Sequence, residues 1–182
     1  MSNHEEQKGF VVWMTGLSGA GKTTIALILE KELKERGLKI ERLDGDVVRQ
    51  SLTRDLGFSK EDRDKNIERV SFVAKVLSRN GVGVICSFIS PYQAVRDMVR
   101  RETTNFLEVF IDAPLAVVMQ RDVKGMYQKA IAGEIPNFTG ISDPFEAPVT
   151  PDIHVRTDQE TPAKSAAFII SQLESLGLIP TA

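Results

Sequence analysis

The stretch Gly16-Leu17-Ser18-Gly19-Ala20-Gly21-Lys22-Thr23 has the residue types and spacing to hold a polyphosphate. It is a G-x-x-x-x-G-K-[ST] pattern, preceded by the apolar run Phe10-Val11-Val12-Trp13-Met14 and followed by a helical pattern from about Thr24. Glycines let the backbone turn so that several N–H groups point inward, at the positive end of the following helix. The Lys22 ammonium suits the β- and γ-phosphates, and the Thr23 hydroxyl is placed to ligate Mg²⁺ with the nucleotide. A nucleoside triphosphate is therefore the expected ligand. A second group of chemistry-bearing residues, Asp44-Gly45-Asp46, ends the strand-like run Leu38 to Leu43. Acids just past the carboxyl end of a parallel strand stand in the ligand crevice of open α/β folds. There they can organise Mg²⁺ through its waters, although Asp-Gly is also a common turn dipeptide with solvated acids.

The elements that must position these groups follow from periodicity. Ile25, Ile28, Leu29 and Leu33 mark one face of a first helix, with Glu30–Lys34 and Glu32–Arg36 as expected i,i+4 pairs and Gly37 as the stop. Ser59 with Asp62 starts a helix whose expected stripe is Ile67, Val70, Val73, Ala74 and Leu77, ending at Asn80-Gly81. Arg63 and Asn66 share a face near its start, where residue type alone favours a solvated surface. Val82 to Phe88 is continuously apolar, as expected of a strand covered on both sides. Ser90-Pro91 reads as N-cap and first residue of a helix carrying Val95, Met98 and Val99. Phe106 to Ile111 is a strand, Pro114-Leu115 starts a helix to about Asp122, and Ile153 to Val155 is a last strand. Thr161-Pro162 caps a final helix with Ala166, Ile169, Ile170, Leu173 and Leu176 inward.

Between Val123 and Val149 the periodicity dissolves into glycines, prolines and polar residues, the pattern of a lid or binding loop. Five strand-like runs alternating with helices predict an α/β fold: a five-stranded parallel sheet, helices on both faces, and a lid. One domain over residues 1–182 is the economical reading, with a polar tail at 1–8.

Composition narrows the function. A formal net charge of -2 argues against a general nucleic-acid or membrane-surface binder, so anionic ligands must meet locally placed cations. The single cysteine, Cys86, lies in an apolar run and fits a reducing compartment as an inert buried thiol. His4 and His154 have no partner at metal-ligand spacing, so no protein-ligated transition metal is expected. No secretory leader or spanning segment is visible, and the expected location is cytoplasmic. No N-K-x-D guanine motif occurs, and the run Val82 to Phe88 leads into Ile89-Ser90-Pro91 rather than into an acid, which favours a small-molecule kinase over a switch GTPase.

Further residues make the likeness specific. Gly16 to Thr24, Leu43 to Asp46, Arg49, Leu56 to Ser59, Asp62-Arg63, Asn66-Ile67, Ile89 to Pro91, Lys124-Gly125, Asn137 to Gly140 and Pro144 to Pro148 together resemble the adenylylsulfate kinase family, over about Gly9 to Leu176. The resemblance implies transfer of the ATP γ-phosphoryl to the 3′-OH of adenosine 5′-phosphosulfate (APS), giving 3′-phosphoadenosine 5′-phosphosulfate (PAPS). It implies that Gly16, Leu17, Ser18, Gly19, Ala20, Gly21, Lys22, Thr23 and Thr24 hold ATP, with Arg121 and Thr157 near its base. Asp44 and Asp46 would organise Mg²⁺ through water and orient the acceptor hydroxyl. Arg49, Arg63 and Asn66 would grip the phosphosulfate, Phe58 and Phe138 would enclose the APS adenine, and Ile89 and Ser90 would line the same pocket.

Lys124-Gly125, and with them Lys129, would close over the phosphates. Ser90 falls at the family's phosphoserine position, although direct in-line transfer is the more economical expectation. The family also implies a homodimer and a functional link to ATP sulfurylase. Gln93, Val123 and the stretch Asp152 to Arg156 depart from the family pattern, touching the helix after Ser90, the lid hinge and the ATP-base side. Two rivals remain at this level: another P-loop small-molecule kinase, and a catalytically silent nucleotide-binding regulatory partner.

Overall fold

The computed structural model describes residues 6–181. Strand β1 (Phe10–Thr15) is buried along its whole length and stands at the centre of a five-stranded sheet of order β2-β3-β1-β4-β5. The others are β2 (Ile40–Asp44), β3 (Gly83–Ser87), β4 (Phe106–Asp112) and β5 (Ile153–Arg156), and every pairing is parallel.

A central parallel strand has two faces to cover, and β1 divides its side chains between them. Phe10, Val12 and Met14 join one core with Ile25, Leu29 and Leu33 of α1 (Lys22–Glu35) and Ala166, Ile169 and Leu173 of α7 (Pro162–Ser175). Val11 and Trp13 join the other with Ile67, Val70 and Ala74 of α3 (Lys60–Arg79) and Val99 of α4 (Gln93–Glu102). The register places Met14, Asp44 and Ser87 side by side at the carboxyl edge, which is where the site forms.

Several local expectations change. Asp44-Gly45-Asp46 is not a plain turn: Asp44 is the N-cap of an additional short helix, α2 (Gly45–Gln50), and accepts from the Asp46 N–H at 3.0 Å. Ser90 is not the N-cap of α4. Its backbone is left-handed at φ 39°, and α4 starts only at Gln93, whose N–H donates to the Glu146 carboxylate at 3.2 Å. The helix end is thus satisfied by a distant side chain instead of a local hydroxyl.

The 123–149 segment is more ordered than its pattern suggests. It holds α6 (Met126–Ile131), which follows α5 (Leu115–Arg121), and sends Tyr127, Ala130 and Phe138 into the core. Asp122 accepts from the N–H groups of Tyr127 and Gln128, so the first turn of α6 is capped from outside it.

Arg36 reaches Glu174 of α7 at 2.6 Å in place of its expected partner Glu32, while Glu30–Lys34 forms as read. Leu176 is 58% exposed at the end of α7, not inward, because Leu178 and Ile179 take that packing position. Val73 and Leu77 are only half-buried. In the expected N-terminal tail, Gln7 exchanges two hydrogen bonds with the Lys39 backbone. His4 lies outside the described residues.

Candidate active site

The phosphate loop is built by contacts that residue types alone do not reveal. At Gly16 a Cβ would stand 2.3 Å from the Ile111 carbonyl oxygen, and Gly21 sits at φ 107° as the N-cap of α1 without any side-chain cap. The first N–H groups of α1 therefore remain for an anion. Lys22 is buried, and its Nζ donates to the Gly16 and Leu17 carbonyls at 2.8 Å each. Burial, with Lys124 as a neighbouring like charge, lowers its pKa to about 7.

The Thr23 hydroxyl donates to Asp44 Oδ2 at 3.0 Å, and Arg42 approaches the same oxygen at 3.5 Å. Asp46, by contrast, has its side chain 71% exposed and paired with Lys124 from the lid. One hydroxyl and two carboxylates make an all-oxygen donor set, the kind that hard divalent cations accept.

Opposite the loop, two guanidiniums stand over the Phe58 ring, Arg49 at 4.3 Å and Arg63 at 5.5 Å from its centre. Arg49 donates to the Leu56 and Gly57 carbonyls; Arg63 donates to Phe58 O and, at 2.6 Å, to Asn137 O of the lid. Neither makes an ion pair among the described residues, and desolvation lowers both pKa values, with their mutual repulsion adding at Arg49. A half-buried Arg49 and a buried Arg63, neither closed off by an ion pair, form a site for an anionic ligand. Arg63 and Asn66 are buried, contrary to the solvated face that their types favoured. Asn66 Oδ1 accepts from Thr53, which leaves its amide NH₂ for a ligand.

One cavity of about 610 Å³ joins both halves. Ser18 to Thr24, Asp44, Asp46, Arg49, Phe58, Arg63, Asn66, Ile89, Ser90, Arg121, Lys124, Phe138 and Thr157 all line it. Gly16, Leu17 and Gly125 do not: the first two hold Lys22 by their carbonyls, and Gly125 sits at φ 64° as the N-cap of α6. Lys129 is exposed on α6 and also lies outside the lining.

Arg121 donates to the Gly19 carbonyl and to Thr157, whose hydroxyl donates to Ala20 O at 2.6 Å. Ser90 Oγ is buried; it accepts from Trp13 Nε1 at 3.1 Å and donates to Phe88 O. Residues that sequence reasoning missed include Thr15, which donates to Ile89 O at 2.6 Å, and Tyr127, whose hydroxyl donates to Ser18 O at 2.7 Å. An aromatic residue in the otherwise loosely patterned lid was the available signal for Tyr127.

Outside the cavity, Cys86 is buried in β3 with its thiol pKa pushed up by desolvation. His154 pairs with Asp112 at 2.9 Å and stacks on Phe110.

Fold and site together define a P-loop kinase for a small anionic acceptor. The chain belongs to the adenylylsulphate kinase family, whose profile matches residues 8–156. A probable adenylyl-sulfate kinase of Pseudomonas aeruginosa is 73% identical over 165 residues, covering 91% of this chain and 77% of that relative. An adenylyl-sulfate kinase of Halothermothrix orenii is 60% identical, covering 95% of this chain and 94% of its own. The structure of the Mycobacterium tuberculosis APS kinase in complex with AMPPNP and APS superposes with a TM-score of 0.89 at 42% identity, covering 92% and 99% of the two chains.

Proposed function

We infer that this protein is an ATP-dependent kinase that transfers the γ-phosphoryl group to the 3′-OH of APS, giving PAPS for sulfate activation. The observation that carries this reading is the shared cavity. One wall is a phosphate loop with a buried lysine; the other is an aromatic ring under two arginines, neither of which makes an ion pair among the described residues.

Phosphoryl transfer has a loose transition state with charge spread over the transferred oxygens, so positioning and charge neutralisation supply most of the catalysis. The N–H groups around Gly19 to Thr24 cradle the ATP phosphates, and Lys22 exchanges its carbonyl partners for the β- and γ-phosphate oxygens. Thr23, and through water Asp44 and Asp46, would hold Mg²⁺, which would supply charge neutralisation on the triphosphate. Asp46 orients the acceptor hydroxyl and receives its proton. Arg49, Arg63 and Asn66 bind the phosphosulfate, Phe58 and Phe138 flank the adenine, and Lys124 of the 123–149 lid moves from Asp46 onto the phosphates. Ser90 contributes structure to the pocket wall and no covalent step.

The chain acts as a single kinase domain, in the cytoplasm and as a homodimer, downstream of an ATP sulfurylase; family resemblance supports these points. Among the described residues no helix is long and apolar enough to cross a membrane.

The test is ADP release from Mg·ATP with and without APS, beside a panel of nucleoside, shikimate and gluconate acceptors. APS-dependent release is expected. Turnover on another acceptor with none on APS removes the assignment, and ATP binding without any turnover favours the silent regulatory partner.

A further inference from the structure

Tyr127 stands between the two halves of the cavity, and nothing in the reaction as described uses it. It is 2% exposed, on the first turn of α6. Its hydroxyl donates to the Ser18 carbonyl of the phosphate loop at 2.7 Å. Its ring meets Phe138 edge-on, with centroids 5.0 Å apart and planes at 78°. Its own N–H is held by Asp122 at 2.9 Å, one residue after Arg121, whose guanidinium donates to the next loop carbonyl, Gly19 O.

A trans peptide is planar, with its C=O and N–H pointing in opposite directions. Fixing the Ser18 carbonyl toward Tyr127 therefore turns the Gly19 N–H the other way, toward the cavity that Gly19 lines. That N–H is one of the donors a phosphate would meet. On its other side, the Tyr127 ring fixes the tilt of Phe138, the lid ring assigned to the APS adenine. Burial of the phenol raises its pKa to about 12, so it remains a hydrogen-bond donor throughout the working range.

We propose that Tyr127 is a positioning residue that couples the nucleotide and APS subsites, its hydroxyl orienting the Ser18–Gly19 peptide and its ring orienting Phe138. Phosphates bound at the Gly19 N–H hold the Ser18 carbonyl in place, which holds Tyr127 and with it Phe138 in the base-binding position. The coupling is reciprocal, because each ligand must change the other's affinity by the same factor. This proposal rests on the reading of the two subsites given above.

The test measures the dissociation constant of APS with and without saturating Mg·AMPPNP, in the wild type and in Tyr127→Phe. The wild type is expected to bind APS more tightly when the analogue is present. Tyr127→Phe keeps the ring, so its affinity for APS alone stays at the wild-type value. Its affinity for the analogue and its coupling factor each fall by about 2- to 10-fold, the worth of one neutral hydrogen bond. Tyr127→Leu, which removes the ring, weakens APS even without the analogue. Independently of any variant, Mg·AMPPNP alone is expected to slow amide exchange across residues 127–142 of the wild type. Tyr127→Phe with wild-type analogue affinity and coupling overturns the proposal, as does an exchange pattern in that segment unmoved by the analogue. Wild-type protein that binds each ligand without coupling overturns it while leaving the subsite reading intact. Wild-type protein that binds neither ligand overturns both.

Discussion

Thr23 and Asp44 meet through a 3.0 Å hydrogen bond that joins the first turn of α1 to the last residue of β2. Asp44 is thereby committed twice, to the Thr23 hydroxyl and to the cap of α2, and it is buried. Asp46, two residues on, is exposed and carries no such duty. The two acids therefore separate into one that builds the site and one free to act in it.

Asp46→Asn is expected to lower kcat by about 10²- to 10⁴-fold, the range for losing a group that handles a proton in the transition state. The melting temperature should stay at the wild-type value, since among the described residues the exposed carboxylate pairs only with Lys124. Asp44→Ala should also lose stability, by about 1 kcal/mol for the missing cap. Near-wild-type turnover in Asp46→Asn removes that residue from the mechanism.

Nucleotide binding should take up a proton at Lys22. Its pKa in the free site is about 7 because burial disfavours the ammonium and Lys124 repels it. Phosphate oxygens favour the charged form and raise the pKa in the complex. Uptake is therefore small below pH 7, largest above it, and makes affinity fall as pH rises through that window. Calorimetry of Mg·AMPPNP binding at pH 8, in buffers of different ionisation enthalpy, should show more uptake in the wild type than in Lys22→Met. Equal uptake in both excludes Lys22 as the source.

Arg63→Ala should weaken APS by about 10- to 100-fold, the worth of one or two charge-assisted hydrogen bonds, and weaken ATP far less. Titration of each ligand separately checks this. Equal weakening of both would undo the assignment of Arg63 to the acceptor side.

Ser90→Ala should retain turnover and lose about 1–3 kcal/mol of stability, because the indole N–H of Trp13 is left buried without its acceptor. Turnover assays and chemical unfolding test the two halves separately. Lost turnover with intact folding and ATP binding would restore a chemical role for the hydroxyl.

The buried pair Arg96–Glu108 offers a stability test away from the chemistry. Arg96 donates to Glu108 at 3.2 Å and to the carbonyls of Ser90 and Glu146, tying the pocket wall to the end of the lid. Arg96→Met alone should cost up to about 3–5 kcal/mol by leaving the buried Glu108 carboxylate to the more distant Arg100, 3.8 Å away, and Arg96→Met with Glu108→Leu should recover part of it. A double variant no more stable than the single one refutes the stranded-charge explanation.

The strands, α1, α3 and α7, and the phosphate loop were legible because each is specified locally. Apolar run length, helical spacing, the Ser59 and Thr161 caps and the fixed glycine positions all act within a few residues. The start of α4 is not legible for the complementary reason. Ser90-Pro91 has the local signature of a cap, but Trp13 claims the hydroxyl and Glu146 supplies the cap from elsewhere in the chain. The lid looks loose in the sequence because its anchors, Tyr127 to Ser18 and Arg63 to Asn137, are long-range contacts that leave no periodic trace.

Residue order alone determined which groups stand at the carboxyl ends of the strands: the loop after β1 and the two acids after β2, since a parallel sheet sends every such turn to one edge. Only tertiary packing decided what each group could do. It buried Lys22 and Arg63, gave Asp44 to the scaffold and left Asp46 in the open. Burial and pairing depend on neighbours brought in from distant segments, and those neighbours set charge state and freedom to move.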